Sequence, residues 1–331
     1  MRNAARQTSC LLLVVLALSF LPGGTAVAED GKEIPLTVRG LATQSTPEGV
    51  LVTDSGQKVL FFQKKPRSLD GEYERAGYVH PLWDLDGNVL TEDFPDDHKH
   101  HRGIFWTWHQ LSVGGKRVGD PWLCRDFLSD VRSATPVIRD DGTARIDVVS
   151  HWKSPLWKDD GGVQKTIVEE TTAILVRPIH SGMRAIDFSI SLKAVEEGVR
   201  IGGSEDAKGY GGFCMRFRLP KGLKFRLKSG KVEPQRTSVE ESPWLDMTAA
   251  FGADSKFSGV SLLTHPSTPG FPQRWILRQQ RSMQNPVYPG RESVTVPQDK
   301  PLRFSYRVVL HRGEAKAKII NGWQTEFENH D

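Results

Sequence analysis

From Val50 to His311 the chain is a succession of short runs in which β-branched or aromatic residues alternate with polar ones, and turn residues separate the runs. Val50–Thr53 and Lys58–Gln63 flank Asp54-Ser55-Gly56, and Tyr78–Trp83 and Asn88–Leu90 flank Asp86-Gly87. Ile104–His109, Ile146–Trp152, Gln164–Val176, Ala185–Leu192, Phe213–Leu219, Gly259–His265 and Leu302–His311 read the same way. Asp140-Asp141-Gly142, Asp159-Asp160-Gly161-Gly162 and His180-Ser181-Gly182 are turn clusters between them. Alternation sends successive side chains to opposite faces, so each apolar face must be covered by another layer. The pattern predicts an all-β chain folded as one large β-sandwich. Helix is expected only at Glu314–Trp323, where it would cover a sheet edge or an open end of the sandwich.

The N-terminus sets the expected compartment. Arg2 and Arg6 precede an apolar run, Leu11–Leu21, and Ala26-Val27-Ala28 follows as a small-x-small signal. That order reads as a secretory signal peptide, residues 1–28, cut after Ala28 and leaving a single domain over 29–331 in the periplasm or secreted medium. The apolar run is shorter than the roughly 20 residues of a spanning helix, and no later segment suits an integral membrane segment. Loss of Arg2 and Arg6 takes the formal charge from +4 to +2. A nearly neutral chain of this size is not expected to bind nucleic acid. Two cysteines remain, Cys124 and Cys214. Two free thiols are the default, with a bridge left open, since pairing needs Cα atoms within about 7 Å. Oligomeric state is not legible.

The segment Glu92-Asp93-Phe94-Pro95-Asp96-Asp97-His98-Lys99-His100-His101-Arg102-Gly103 concentrates acids and imidazoles, and half of the ten histidines lie between positions 80 and 109. On a strand His98 and His100 would share a face, with His101 and His109 on the other. Two imidazoles so placed can hold a divalent metal, with Glu92, Asp93 or Asp97 as third ligand. Without metal, a histidine oriented by one of these carboxylates is an acid–base pair at neutral pH. The expected catalytic set is His80, Glu92, His98, His100 and His101. Arg102 would clamp substrate through its planar fork. The bland alternative is a polar turn built on Pro95 and the doubled Asp.

Trp83, Trp106, Trp108 and Trp122 surround this segment. Indole faces suit sugar rings, although Trp106 and Trp108 share a strand face and fit a core better. The glycine-rich stretch Gly202–Gly212 is neither a phosphate loop nor a dinucleotide fingerprint, and Asp206 and Tyr210 are expected to project from it into a cleft. His265, at a strand end before Pro266, is the expected distal partner of the cluster. Trp83, Arg102, Asp206, Tyr210 and His265 form the expected substrate-binding set. Arg216, Arg218, Lys221, Lys224, Arg226, Lys228 and Lys231 read as a basic stripe, expected to be a solvated strand face, with a surface for an acidic polysaccharide as the alternative. Gly-x-Ser-x-Gly, His-Glu-x-x-His, Cys-x-x-Cys and Walker motifs are absent, which removes several enzyme classes.

Tyr78-Val79-His80-Pro81-Leu82, Thr91-Glu92-Asp93 and Asp97-His98-Lys99-His100-His101-Arg102-Gly103 together resemble the exported bacterial family labelled methane oxygenase PmoA-like, frequent in planctomycetes. Lys208-Gly209-Tyr210-Gly211-Gly212, His265-Pro266, Trp275, Asn285-Pro286 and Tyr306-Arg307 extend the resemblance over most of the chain. Lys99 departs from it, standing where that family shows Pro. The resemblance implies a sandwich similar to the galactose mutarotase supersandwich and a polysaccharide-rich setting, and it assigns no catalytic residue. The functional expectation is an exported carbohydrate-active protein, with a glycan or small molecule as ligand and lyase, hydrolase or epimerase chemistry open. A noncatalytic glycan-binding protein and a metal-dependent oxygenase, with metal on His98 and His100, are the alternatives.

Overall fold

The computed structural model describes residues 26–27, 33–34, 39–252 and 256–329. The chain divides into two compact units, Met1–Val38 and Arg39–Asp331. In the first, Ala26–Val27 pairs antiparallel with Glu33–Ile34. The rest of the expected signal peptide lies outside the described residues.

The second unit is an all-β sandwich. Its larger sheet has nine strands, in the spatial order 128–138, 144–158, 164–176, 183–194, 302–312, 257–264, 244–250, 224–227 and 230–232. A six-stranded sheet runs 212–215, 104–107, 78–82, 57–63, 49–54 and 41–45. The long strands bury every second residue, as period-two patterning requires: Ile146, Val148 and Ser150 point inward and Asp147 outward. Facing side chains of the two sheets form one apolar core. Phe213 stacks on Tyr306 with centroids 4.5 Å apart, and Trp106 meets Phe188 at 6.3 Å. Trp106 and Trp108 are therefore core residues. Cys124 and Cys214 are free thiols.

Ser55 and Gly56, at the tip of the first predicted hairpin, both take positive φ, as a two-residue turn demands. Other boundaries differ. The run expected to continue to Leu219 leaves its strand at Met215, and the run expected to reach His109 ends at Thr107. The helix spans Ala317–Glu328, later than predicted, and it covers a sheet face rather than an edge. Ile320 and Phe327 bury against Trp244, Leu263 and Val309. Arg307 donates to Glu326, and the Gln324 amide donates to the Thr264 carbonyl. No helix among the described residues is long and apolar enough to cross a membrane.

Gly103 fixes how the histidine-bearing segment meets the smaller sheet. A Cβ there would lie 2.0 Å from the Val79 carbonyl oxygen, so only glycine lets this backbone reach the 78–82 strand. Gly103 N–H donates to Glu92 O, and Gly103 O accepts from Arg216 N–H, both at 2.7 Å. His80, Glu92 and Arg216 are thereby drawn around one point of the sheet.

Candidate functional site

Residues 96–101 are not a strand. His98 N–H donates to Pro95 O and His101 N–H to His98 O, so the chain makes two successive turns. Pro95 and the doubled Asp favour that path. The expected division of the histidines between two faces fails as a result. The His98 and His101 rings stack at 4.6 Å with 3° between their planes, and His100 sits edge-on to both, at 5.6 and 4.6 Å. Trp122 closes the cluster, and His109 stacks on its far side at 5.2 Å.

Each imidazole has a distinct job. Nε2 of His100 accepts a hydrogen bond from Trp122 Nε1–H at 3.1 Å. An indole only donates, so His100 must be the neutral Nδ1–H tautomer. Burial lowers the His100 pKa to about 3, and holds that of the enclosed His101 well below its ordinary value. Nδ1 of His98 lies 2.8 Å from Asp97, which leaves Nε2 for the cavity that His98 lines. Nδ1 of His109 lies 3.0 Å from Asp120, and its Nε2 is buried with no partner among the described residues.

Asp97 is held from three sides. Arg216 donates to both its oxygens, at 2.6 and 3.0 Å, and Ser282 N–H donates to Oδ2 at 2.6 Å. Burial works to raise its pKa, yet the hydrogen bonds from Arg216, His98 and Ser282 prevail and keep the carboxylate far below its usual range. Arg281 and Ser282 both have positive φ, 56° and 70°. That conformation costs a non-glycine residue about 1 kcal/mol or more, and the Asp97 and Arg216 bonds to Ser282 maintain it.

The turns separate two cavities. One, of about 230 Å³, is lined by His98, Lys208, Tyr210, Arg278, Arg281 and Ser282, among others. Tyr210 packs on Trp122 at 4.7 Å, and burial raises its phenol pKa, so the hydroxyl is a proton donor at neutral pH. The other cavity, of about 650 Å³, is lined by His80, Glu92, Asp93, Asp97, Arg216 and Arg218. His80 Nδ1 pairs with Thr91 Oγ1 at 2.9 Å, and burial lowers its pKa to about 4. Glu92 is engaged by Arg216 at 2.7 Å, so Asp97, and not Glu92, orients an imidazole.

Several expected residues have other roles. Arg102 is fully buried. It bonds Asp93 and the Arg67 and Tyr73 carbonyls, its guanidinium lies 3.2 Å over the Phe94 ring, and it lines neither cavity, so it is not placed to clamp a substrate. Asp206 shapes its own loop, accepting from Ser204 Oγ and Lys208 N–H. The surrounding glycines allow backbone to meet backbone: a Cβ on Gly203 would sit 2.2 Å from Gly209 O. Trp83 is half-buried beside Lys58 and lines neither cavity. His265 packs on Phe327 of the helix and lines a groove over the nine-stranded sheet with Arg303 and Ser305, away from the imidazole cluster. Arg216, expected to be solvated, is buried. The cations Arg278 and Arg281 were not anticipated, because nothing local ties residues 278–283 to a segment about 180 positions earlier.

A metal on His98 and His100 does not fit. Among the described residues no group of three or more His, Cys, Asp or Glu side chains is placed to hold an ion. His98 Nδ1 is taken by Asp97 and His100 Nε2 by Trp122.

A heparinase III structure with methylated lysines is similar at 12% identity and a TM-score of 0.33, over 87% of this chain and 38% of that one. This chain thus spans less than two fifths of that protein's length. No curated protein matches the sequence. The resemblance to the PmoA-like family is overturned by the family model that does match, and the methane oxygenase label goes with it. That model covers residues 49–323 and describes a family of unknown function, DUF6807, to which this chain belongs.

Proposed function

We propose that this protein acts on a glycan outside the cytoplasm, with His98 transferring the proton and Asp97 orienting it. The observation that carries this reading is the Asp97–His98 pair at a cavity wall. The carboxylate fixes the Nδ1–H tautomer and leaves a basic Nε2 toward the ligand, the arrangement a general base needs. Tyr210, in the same cavity, supplies a phenol able to return a proton and an aromatic face for a sugar ring. The cavity is smaller than the ~300–1,000 Å³ of a drug-sized site, which suits a single sugar unit. Glycoside hydrolysis usually needs two carboxyl groups ~5–9.5 Å apart across the bond. No carboxylate is among the described residues lining the cavity, which favours proton abstraction, as in a lyase or epimerase, over hydrolysis. Export rests on Arg2, Arg6, the Leu11–Leu21 run and Ala26-Val27-Ala28.

The test is incubation of the purified protein with a panel of poly- and oligosaccharides, read by product mass. Turnover lost in His98→Ala and reduced in Tyr210→Phe supports the assignment. Glycan binding with no product would make the protein a binding module. A panel neither altered nor bound overturns the reading.

A further inference from the structure

The cavity carries a charge pattern that the proton-transfer reading does not use. Its described lining includes three cations, Lys208, Arg278 and Arg281, and no carboxylate. The nearest acids are already engaged. Asp97 is bound by Arg216 and His98, and Asp206 sits 3.0 Å from Lys208 Nζ. Lys208 is thus partly neutralised, and its ammonium also lies 5.3 Å over the Tyr210 ring, at the cavity wall. Arg278 has no acidic partner among the described residues: its two terminal nitrogens donate to the carbonyls of Gln235, Leu277 and Arg236, which pin the side chain but do not compensate its charge. Arg281 makes no hydrogen bond or ion pair among the described residues and is exposed at the lip beside Ser282. One pinned guanidinium, Arg278, and one exposed and unpaired, Arg281, line a small cavity that holds no carboxylate, which makes a site for an anion, and a planar fork matches carboxylate and sulfate oxygens.

We infer that the sugar unit this cavity takes is anionic, with its carboxylate or sulfate group held by Arg278 and Arg281 beside His98. The inference rests on the glycan reading and names its substrate class. His98 and the two arginines would then act on the same ring. The arginines draw off the anion's charge while His98 Nε2 faces a ring hydrogen. Arg281 is the more informative position, since among the described residues its side chain makes no hydrogen bond or ion pair.

The experiment is calorimetric titration of the whole protein with three tetrasaccharide series: one bearing uronate carboxylates, one neutral but sulfated, and one neutral and unsulfated. Arg281→Gln and His98→Ala are titrated alongside. Binding of a charged series, weakened about tenfold by Arg281→Gln and weakened further by added salt, supports the inference. The series that binds identifies the anion as carboxylate or sulfate. Equal or tighter binding of the neutral unsulfated series, sensitive to His98→Ala but not to Arg281→Gln, overturns the anionic assignment and keeps the glycan reading. Failure of all three series to bind overturns both.

Discussion

Asp97 and Arg216, 119 positions apart in sequence, meet through two N–H···O bonds of 2.6 and 3.0 Å, and this pair ties the imidazole turn to the cavity lip. Asp97 touches His98 on one side and Ser282 on the other, while Arg216 also engages Glu92. Replacing Asp97 with Asn keeps the shape and removes the charge. Arg216 is then left buried with only the part-exposed Glu92 as a carboxylate partner. The expected loss is about 1–3 kcal/mol of stability by urea unfolding. The Ser282 amide should exchange faster with solvent, since the bond holding its unfavourable φ is weakened. Unchanged protection at Ser282 would mean that Asp97 does not hold the lip.

Acid should destabilise the protein in two overlapping windows. Burial lowers the pKa of His80 to about 4 and that of His100 to about 3, and lowers His101 well below its ordinary value. Between those values and the unfolded ~6.5, the unfolded chain binds protons that the folded chain refuses. Stability therefore falls as pH drops from about 6.5, with a slope of up to about 1.4 kcal/mol per pH unit for each such histidine. Asp97 acts lower. Its depressed folded pKa adds stability that is full above about pH 5 and lost as pH falls through ~4 and below. Unfolding free energies measured from pH 7 to 4.5 report chiefly on the first window, and His100→Gln should flatten the slope there. An identical slope in that variant would show that His100 does not resist protonation.

Arg102 separates a binding role from a structural one. Its guanidinium is enclosed by Asp93, two backbone carbonyls and the rings of Phe94 and Tyr78. Arg102→Met should cost about 3–5 kcal/mol, because Asp93 loses a buried partner and the two carbonyls lose their donor. Asp93 keeps Arg67, at 2.5 Å, which tends toward the lower figure. Glycan affinity of the folded fraction should be unaltered. A variant of native stability with lost affinity would restore Arg102 as a substrate clamp.

The sandwich was legible because its signal is local. Gln164–Val176 is a strand over the predicted span, and Asp54-Ser55-Gly56 turns where predicted, since alternation and turn chemistry act over a few residues. The cluster's position in the chain was legible for the same reason, but its geometry was not. Treating residues 98–101 as a strand gave two faces, whereas Pro95 and the Asp pair start turns that gather the three rings together. Arg216 follows the alternation of a basic stripe and is nevertheless buried, because Glu92 and Asp97 come to it from 124 and 119 positions away. Arg278 and Arg281 enter the site through bonds such as those of Asp97 and Arg216 to Ser282, contacts with no sequence-local trace.

Gly103→Ala probes how tightly the site is set against the sheet. The added methyl would meet the Val79 carbonyl oxygen at 2.0 Å and His80 Cβ at 2.9 Å. Both belong to a paired strand that cannot retreat without losing its register. The expected penalty is at least about 3 kcal/mol, in the range of severe overpacking, with His80 displaced from Thr91. A melting temperature within a degree of the wild type would show that the two strands yield.

The Trp122–His100 bond makes the most specific spectroscopic prediction. An indole has no acceptor for a histidine N–H, so the 3.1 Å contact exists only while His100 Nε2 is unprotonated. Long-range ¹H–¹⁵N correlation at pH 7 should show His100 as the Nδ1–H tautomer. Trp122→Phe keeps most of the packing against His101 and Phe105 but removes the donor, leaving His100 free to move its proton to Nε2. The variant should lose about 1–2 kcal/mol, from one hydrogen bond and an unpaired buried nitrogen, and its His100 signals should shift toward the Nε2–H tautomer. Because His100 packs edge-on to both His98 and His101, the same change should broaden or shift the His98 ring signals without any substitution at His98. An imidazolium pattern for His100 in the wild type at pH 7 would contradict its buried, indole-capped arrangement.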